Sequence, residues 1–323
     1  MLIELLIVLA GIAVIIALAQ IIIKNAIDLA NYFGFSGTFI GLTVLSIGTS
    51  IPEIMTNIIG SVNILKDPSA INTFSGLVIG NSIGSDIFQQ SFILPLVGII
   101  GTVVVIKKNL LPEVGGLIGA ALLTWVFSLG GIITRLEGFI LVFAYISYVI
   151  YLKQSRIGES FNNKSKLKLK EIVWATSLVL ASFLIMAFVA NQVLDASTKL
   201  ISVLPISASF FGVIFLGIAS ALPELTTSLV AISKGKKDIS AGILIGSNIT
   251  NPLLGIGLGA LISTYTIPNV IVLYDLPLKI ATALLIYYFL MKGKNLTKSQ
   301  AITLMIIYFV YLAIRVIFFP VDF

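Results

Sequence analysis

About ten long apolar stretches, separated by short polar breaks, run the length of the chain. Crossing the hydrocarbon of a bilayer takes roughly 20 apolar residues in a helix, so each stretch predicts one span. They lie near residues 2–24, 37–64, 72–104, 111–130, 136–153, 171–194, 207–233, 239–264, 277–292 and 299–319. The one long polar connection, Gln154 to Lys170, divides them into two groups of five. An odd number of crossings inverts the second group relative to the first. The pattern therefore predicts an all-α membrane protein of ten transmembrane helices, built as two inverted-topology repeats at 1–153 and 171–323 and joined by a basic linker at 154–170. The first stretch begins at Leu2 with Glu4 and shows no basic leader or small-residue cleavage site, so it reads as a retained span.

Composition sharpens this picture. Of 323 residues, 58% are hydrophobic and 11% charged, with a mean hydropathy of +1.11. That balance belongs to an integral membrane protein with no room for a sizeable soluble domain. Cysteine and histidine are both absent, which removes disulfides, thiolate metal sites and imidazole catalysis. Any metal must be held by oxygen, and oxygen ligands favour hard cations. The net charge of +6 is a matter of topology: if the N-terminus is outside, all but five of the 20 basic residues fall on the inward side. The five are Lys66, Arg135, Lys199, Lys279 and Arg315. The positive-inside bias then puts both termini outside and the central loop in the cytoplasm. Glu4, Glu113 and Asp275 fall near predicted span ends and are expected to be solvated. Trp125, Trp174 and Tyr148 read as boundary or packing residues.

Candidate chemistry comes from repetition. Ile47-Gly48-Thr49-Ser50-Ile51-Pro52-Glu53 returns 171 positions later as Ile218-Ala219-Ser220-Ala221-Leu222-Pro223-Glu224. A proline inside a membrane helix removes a backbone donor and frees a carbonyl about one turn earlier. Each copy thus gathers a carboxylate, hydroxyls and backbone oxygens. An ionised carboxylate in hydrocarbon costs several kcal/mol, so two at matching positions, Glu53 and Glu224, point to function. A second pair follows at an offset of 162: Gly84-Ser85-Asp86-Ile87-Phe88-Gln89 and Gly246-Ser247-Asn248-Ile249-Thr250-Asn251. Ser85 with Gln89, and Ser247 with Asn251, are four apart and share a helix face. Asp86 lies about 100° around from Ser85, free to line an aqueous access path, to stand in for a carboxylate, or to pair elsewhere. Asn81 and Asn248 read as packing or supporting residues.

These paired segments resemble the two alpha-repeats of the calcium/cation antiporter superfamily, most closely its sodium/calcium exchanger branch, over essentially the whole chain. The alpha-repeats correspond to 43–90 and 213–252. The resemblance implies that Glu53 and Glu224 are the central ligands, with Thr49, Ser220, Ser50, Ser85 and Ser247 supplying hydroxyls and Ser46 and Gly217 backbone oxygens. Pro52 and Pro223 break the helices. Ser50 has Ala221 as its repeat partner, so one hydroxyl is missing from the second half. Where sodium/calcium exchangers commonly carry Asn and Asp after the serines, this chain has Gln89 and Asn251, an amide pairing that looks more like proton/calcium exchangers. Two carboxylates leave the site neutral with calcium bound, and protons on both glutamates could replace it.

The expected activity is export of calcium in exchange for sodium, by alternating access, with ions competing for one midplane site. Protons are the alternative counter-ion, and a cation channel is the alternative from another class. No phosphate-binding loop, nucleophile with its base or nucleic-acid surface is evident, so the chain is not expected to be an enzyme. The expected partners are the lipid bilayer and inorganic cations, with no cofactor, no nucleic acid and no obligatory protein partner, which leaves a monomer. The resemblance also makes the first and sixth spans the moving parts.

Overall fold

A backbone in hydrocarbon must satisfy its polar groups internally, and apolar sequence therefore becomes helix. The structure, a computed structural model, describes residues 2–32, 40–101, 110–155, 169–233, 237–293 and 295–322. Most of the predicted linker lies outside these residues, as do Lys107, Lys108, Lys234, Lys236 and Lys294. Among the described residues nine helices are long and apolar enough to cross a membrane, and a bent pair makes ten. The spans run Leu2–Ile22, Leu42–Thr49 with Ile51–Lys66, Pro68–Gly101, Leu111–Ser128, Arg135–Gln154, Leu169–Ile201, Ala208–Ser233, Ser240–Ile262, Ile271–Lys292 and Lys298–Phe318. The first helix itself continues to Tyr32.

The expected all-helical architecture is observed. Boundaries differ most at the end of the sixth span, Ile201 rather than near 194, and at the start of the ninth, Ile271 rather than near 277. Asp275 is fully buried and Glu113 only 6% exposed, so the expectation that these two are solvated fails. Lys279 and Arg315 are fully buried too. Each lies where neighbouring helices cover it, which a one-dimensional hydropathy pattern does not record.

The two halves repeat their irregularities as well as their motifs. Wide π-type turns occupy Ile40–Leu45 and Gly212–Leu216, Gln89–Ile93 and Asn251–Ile256, and Leu111–Gly115 and Ile271–Asp275. A π turn inserts one residue into the helical ladder and breaks its regular hydrogen bonding. Proline, which cannot donate, lies within or just after four of them at Pro95, Pro112, Pro252 and Pro277.

The third and eighth spans form the centre, 78% and 89% buried, while the first and sixth are only 33% and 17% buried and pack chiefly on each other. The central helices cross almost backbone to backbone. A methyl group on Gly84 would lie 2.3 Å from the carbonyl oxygen of Val213, and one on Gly217 would lie 2.6 Å from the amide nitrogen of Ser85. Opposite them, Gly246 meets Leu42 and Ser46 of the second span. Small residues permit this approach, which supplies the van der Waals contact that holds helices together in lipid.

Two short strands join the connections after the fourth and eighth spans, with Ile132 opposite Thr266 and Ile133 opposite Tyr265. The amide of Ser207, before the seventh span, donates to the carbonyl of Pro320 after the tenth at 2.9 Å. Each joined pair must share a membrane side if every span crosses once, as the ten-span alternation requires.

The crossing predicts that Gly84→Ala destabilises the protein by about 3 kcal/mol or more, since no rotamer change relieves a clash with backbone. Gly119→Ala, with open space around its Cα, should be neutral or stabilising by up to about 1 kcal/mol. Thermal unfolding of the two variants in detergent measures the difference.

Candidate cation site

Each conspicuous break falls between a short helical turn and a longer helix. In the first half Ser46–Thr49 gives way to Ile51–Lys66, bent by 55°, and in the second Gly217–Ser220 gives way to Leu222–Ser233. Proline is the second residue of both longer helices and glutamate the third. Glu53 and Glu224 therefore sit at helix N-termini, where the partial positive charge of unpaired amides favours an anion. Both are fully buried.

The repeats cross over around them. Ser85 of the same half donates to Glu53 Oε1 at 2.6 Å, and Ser220 of the other half stands close beside it. Glu224 has Ser247 of its own half and Thr49 of the other nearby, and those two hydroxyls are 3.1 Å apart. Gln89 Nε2 donates to Ser85 Oγ at 2.9 Å, and Asn248 Nδ2 to Gln89 Oε1 at 3.3 Å. A relay of donors thus reaches Glu53 from the eighth span. Asn81 Oδ1 accepts from Ser220 Oγ at 2.9 Å, a supporting role like that of Asn248.

What the arrangement leaves over is acceptor oxygen. Glu53 Oε2, both carboxylate oxygens of Glu224, Asn251 Oδ1 and Asn248 Oδ1 are buried without a hydrogen-bond partner, as is the Ser50 hydroxyl. Buried polar groups are nearly always paired, so a cluster of acceptors without donors is the complement of a cation. The donor set is all oxygen, which suits a hard ion. Among the described residues no three Asp, Glu, His or Cys side chains converge, so the anionic charge offered here is that of the two glutamates.

Other residues of the expected set are placed differently. The Ser46 carbonyl accepts the Ser50 amide at 3.0 Å and the Thr49 hydroxyl at 3.3 Å. The Gly217 carbonyl likewise accepts the Ala221 amide and the Ser220 hydroxyl, each at 3.3 Å. Both are engaged in the same way, and a hydroxyl must turn aside before either meets an ion. Asn251 Nδ2 turns to Asp86 Oδ1 at 2.8 Å instead of to Ser247. Asp86 Oδ2 forms a fully buried ion pair with Lys279.

Sequence reasoning missed Lys279 and Asn57. Lys279 figures in the sequence only as one of five basic residues off the inward side, although an ionisable residue inside an apolar run is itself a signal. Asn57, four residues after Glu53, donates to the Glu53 carbonyl at 2.9 Å and to Ser82 Oγ at 2.7 Å, and its own carbonyl accepts from the Tyr265 hydroxyl at 2.9 Å. Asn57 thereby braces the glutamate-bearing helix against the third span and the turn before the ninth.

Comparison with known proteins fits this geometry. The model of the family described as sodium/calcium exchanger protein matches residues 3–153 and 174–317. The chain belongs to that family. Among its relatives is the sodium/calcium exchanger MaX1 of Methanosarcina acetivorans, 25% identical and covering 96% of this chain and 97% of its own. The inner membrane protein YrbG of Escherichia coli is 28% identical over 78% of each chain. Among solved structures, the sodium-calcium exchanger NCX_Mj, soaked with sodium and strontium, superposes with a TM-score of 0.66 at 25% identity, covering 96% of this chain and 97% of that one. This family member therefore carries its paired glutamates on a scaffold shared with relatives along nearly the full length.

Asn57→Ala removes two donated hydrogen bonds from a buried position and should cost about 1–3 kcal/mol of stability. Unfolding in detergent tests this, and an unchanged midpoint would show that the amide does not brace the helix.

Proposed function

We propose that the protein is a secondary active antiporter that exports calcium from the cell in exchange for sodium, by alternating access, with both ions competing for the oxygens of Glu53 and Glu224. The observation that carries this reading is the pair of buried carboxylates, one from each repeat, with three of their four oxygens lacking a donor. Calcium takes six to eight oxygens at about 2.3–2.6 Å, and the hydroxyls of Thr49, Ser50, Ser85, Ser220 and Ser247 with the amide oxygen of Asn251 stand ready to complete the shell. Gln89 then serves by orienting Ser85. Calcium on two carboxylates leaves no net charge, and an occupied site can change access where a bare pair of charges cannot.

The first and sixth spans are the moving elements in this reading. They pack mainly on each other, and a cavity of about 30 Å³ separates Ile12 and Ile16 of the first span from Asn81 and Ser220 at the edge of the site. Slipping of that pair over a fixed centre would open the site to one side and then to the other. Both termini are outside and the central loop is cytoplasmic, with the chain acting as a monomer in the cell membrane.

Protons are the second reading for the counter-ion. It is favoured by the count of unpaired carboxylates, two, since Asp86 is already matched by Lys279.

Purified protein in proteoliposomes decides between them. Calcium uptake should follow an outward sodium gradient and persist when the pH gradient is collapsed. Uptake that follows only the pH gradient would establish the proton version, and calcium current with no counter-ion a channel. Glu53→Gln and Glu224→Gln should each reduce exchange at least about 100-fold, because a neutral amide replaces half of the anionic charge facing a dehydrated ion.

A further inference from the structure

Asp86 and Lys279 meet in the middle of the bundle, both fully buried, on the third and ninth spans. Burying two opposite charges in a low dielectric seldom stabilises a protein more than apolar side chains of the same size would. Stability alone therefore gives no account of the pair. Its surroundings do. Asp86 follows Ser85, the donor to Glu53, on the same helix. The second oxygen of Asp86 is held by the amide of Asn251, whose own Oδ1 is one of the unpartnered acceptors of the site. Gln90 Nε2 of the third span donates to the Lys279 carbonyl of the ninth at 2.7 Å and also to the Thr282 hydroxyl, which fixes the backbone that carries the ammonium. A third carboxylate, which does not converge on the two glutamates, is thus linked to the cation site through Asn251, and a cation covalently tied to the protein is bonded to it.

We infer that Lys279 is a built-in counter-cation. Its ammonium occupies, at Asp86, the place that a mobile monovalent cation would otherwise take, and so it limits the transported charge to what Glu53 and Glu224 neutralise. The inference rests on the reading of those glutamates as the ion site and adds a residue that sets how many counter-ions accompany each cycle. A free cation at Asp86 would enter and leave with the others. A tethered one cannot leave, and it shields Asp86 in every state of the cycle.

Three variants test this, each measured for sodium-driven calcium exchange in proteoliposomes and for melting in detergent with sodium chloride or choline chloride. Lys279→Gln frees Asp86, so its melting temperature should rise with sodium more than the wild type's, and its exchange should depend more steeply on sodium, as for one additional bound ion. Asp86→Asn leaves a lone ammonium beside the site and should weaken apparent calcium affinity about tenfold or more. The double variant Asp86→Asn with Lys279→Gln should bring both properties back toward wild type. Single variants that shift cation dependence in the same direction, or a double variant no closer to wild type than either single, would reduce the pair to a structural contact and overturn the inference. If Lys279→Gln does not fold, Asp86→Asn against the double variant still decides: equal calcium affinities refute the proposal. Wild-type protein that moves no calcium against any cation gradient would instead sink the antiporter reading. The sodium dependence of melting in Lys279→Gln is measured without transport, so the two failures are distinct.

Discussion

A charge in hydrocarbon must find a partner, and nearly every feature of this protein follows from how its buried charges do so. Desolvation of an ion costs several kcal/mol even after relaxation, so an unpaired carboxylate inside a bundle is not tolerated without cause. Asp86 is matched by Lys279, and Asp275 by Arg315 at 3.4 Å together with the Tyr311 hydroxyl at 2.8 Å. Glu53 and Glu224 are fully buried and have no basic partner among the described residues, only hydroxyls and helix N-termini.

Helix geometry makes that exception possible. Proline in the first turn of each longer half-helix ends the preceding turn and starts a new one with glutamate near its positive end. One break supplies a single carboxylate. Two breaks related by an inverted repeat supply a pair, and the crossing of the third span over the seventh and of the eighth over the second exchanges hydroxyls between halves. That crossing depends on glycine: the backbone at Gly84 and Gly217 comes so close that a single methyl group would hold the helices apart. The distances among Glu53, Ser85, Ser220 and their counterparts are therefore set by packing some residues away from the ligands themselves.

A rigid centre and a lightly held pair of outer helices follow from the same distribution of polarity. Buried polar side chains concentrate in the second, third and eighth spans, and the third and eighth are among the most enclosed. The first span is largely apolar, whereas the sixth carries polar residues toward its C-terminal end, where Asn191 accepts from Asn63 of the second span at 2.9 Å.

Hydropathy alone fixed the helical class, the approximate spans and their division into halves, because a bilayer imposes its thickness on any sequence that crosses it. The repeated Pro52-Glu53 and Pro223-Glu224 motifs singled out the two carboxylates for the same one-dimensional reason: a charge and a helix breaker coincide at membrane depth twice. Partners across the bundle were not legible. Asp275 resembled a wet boundary residue until neighbouring helices enclosed it, nothing marked Lys279 and Arg315 as buried, Asn251 turned from Ser247 to Asp86, and Asn57 gave no sign that it braces Glu53. Sequence records what each residue can offer along one helix, whereas which donor meets which acceptor depends on how helices far apart in the chain cross, and only the tertiary structure decides that.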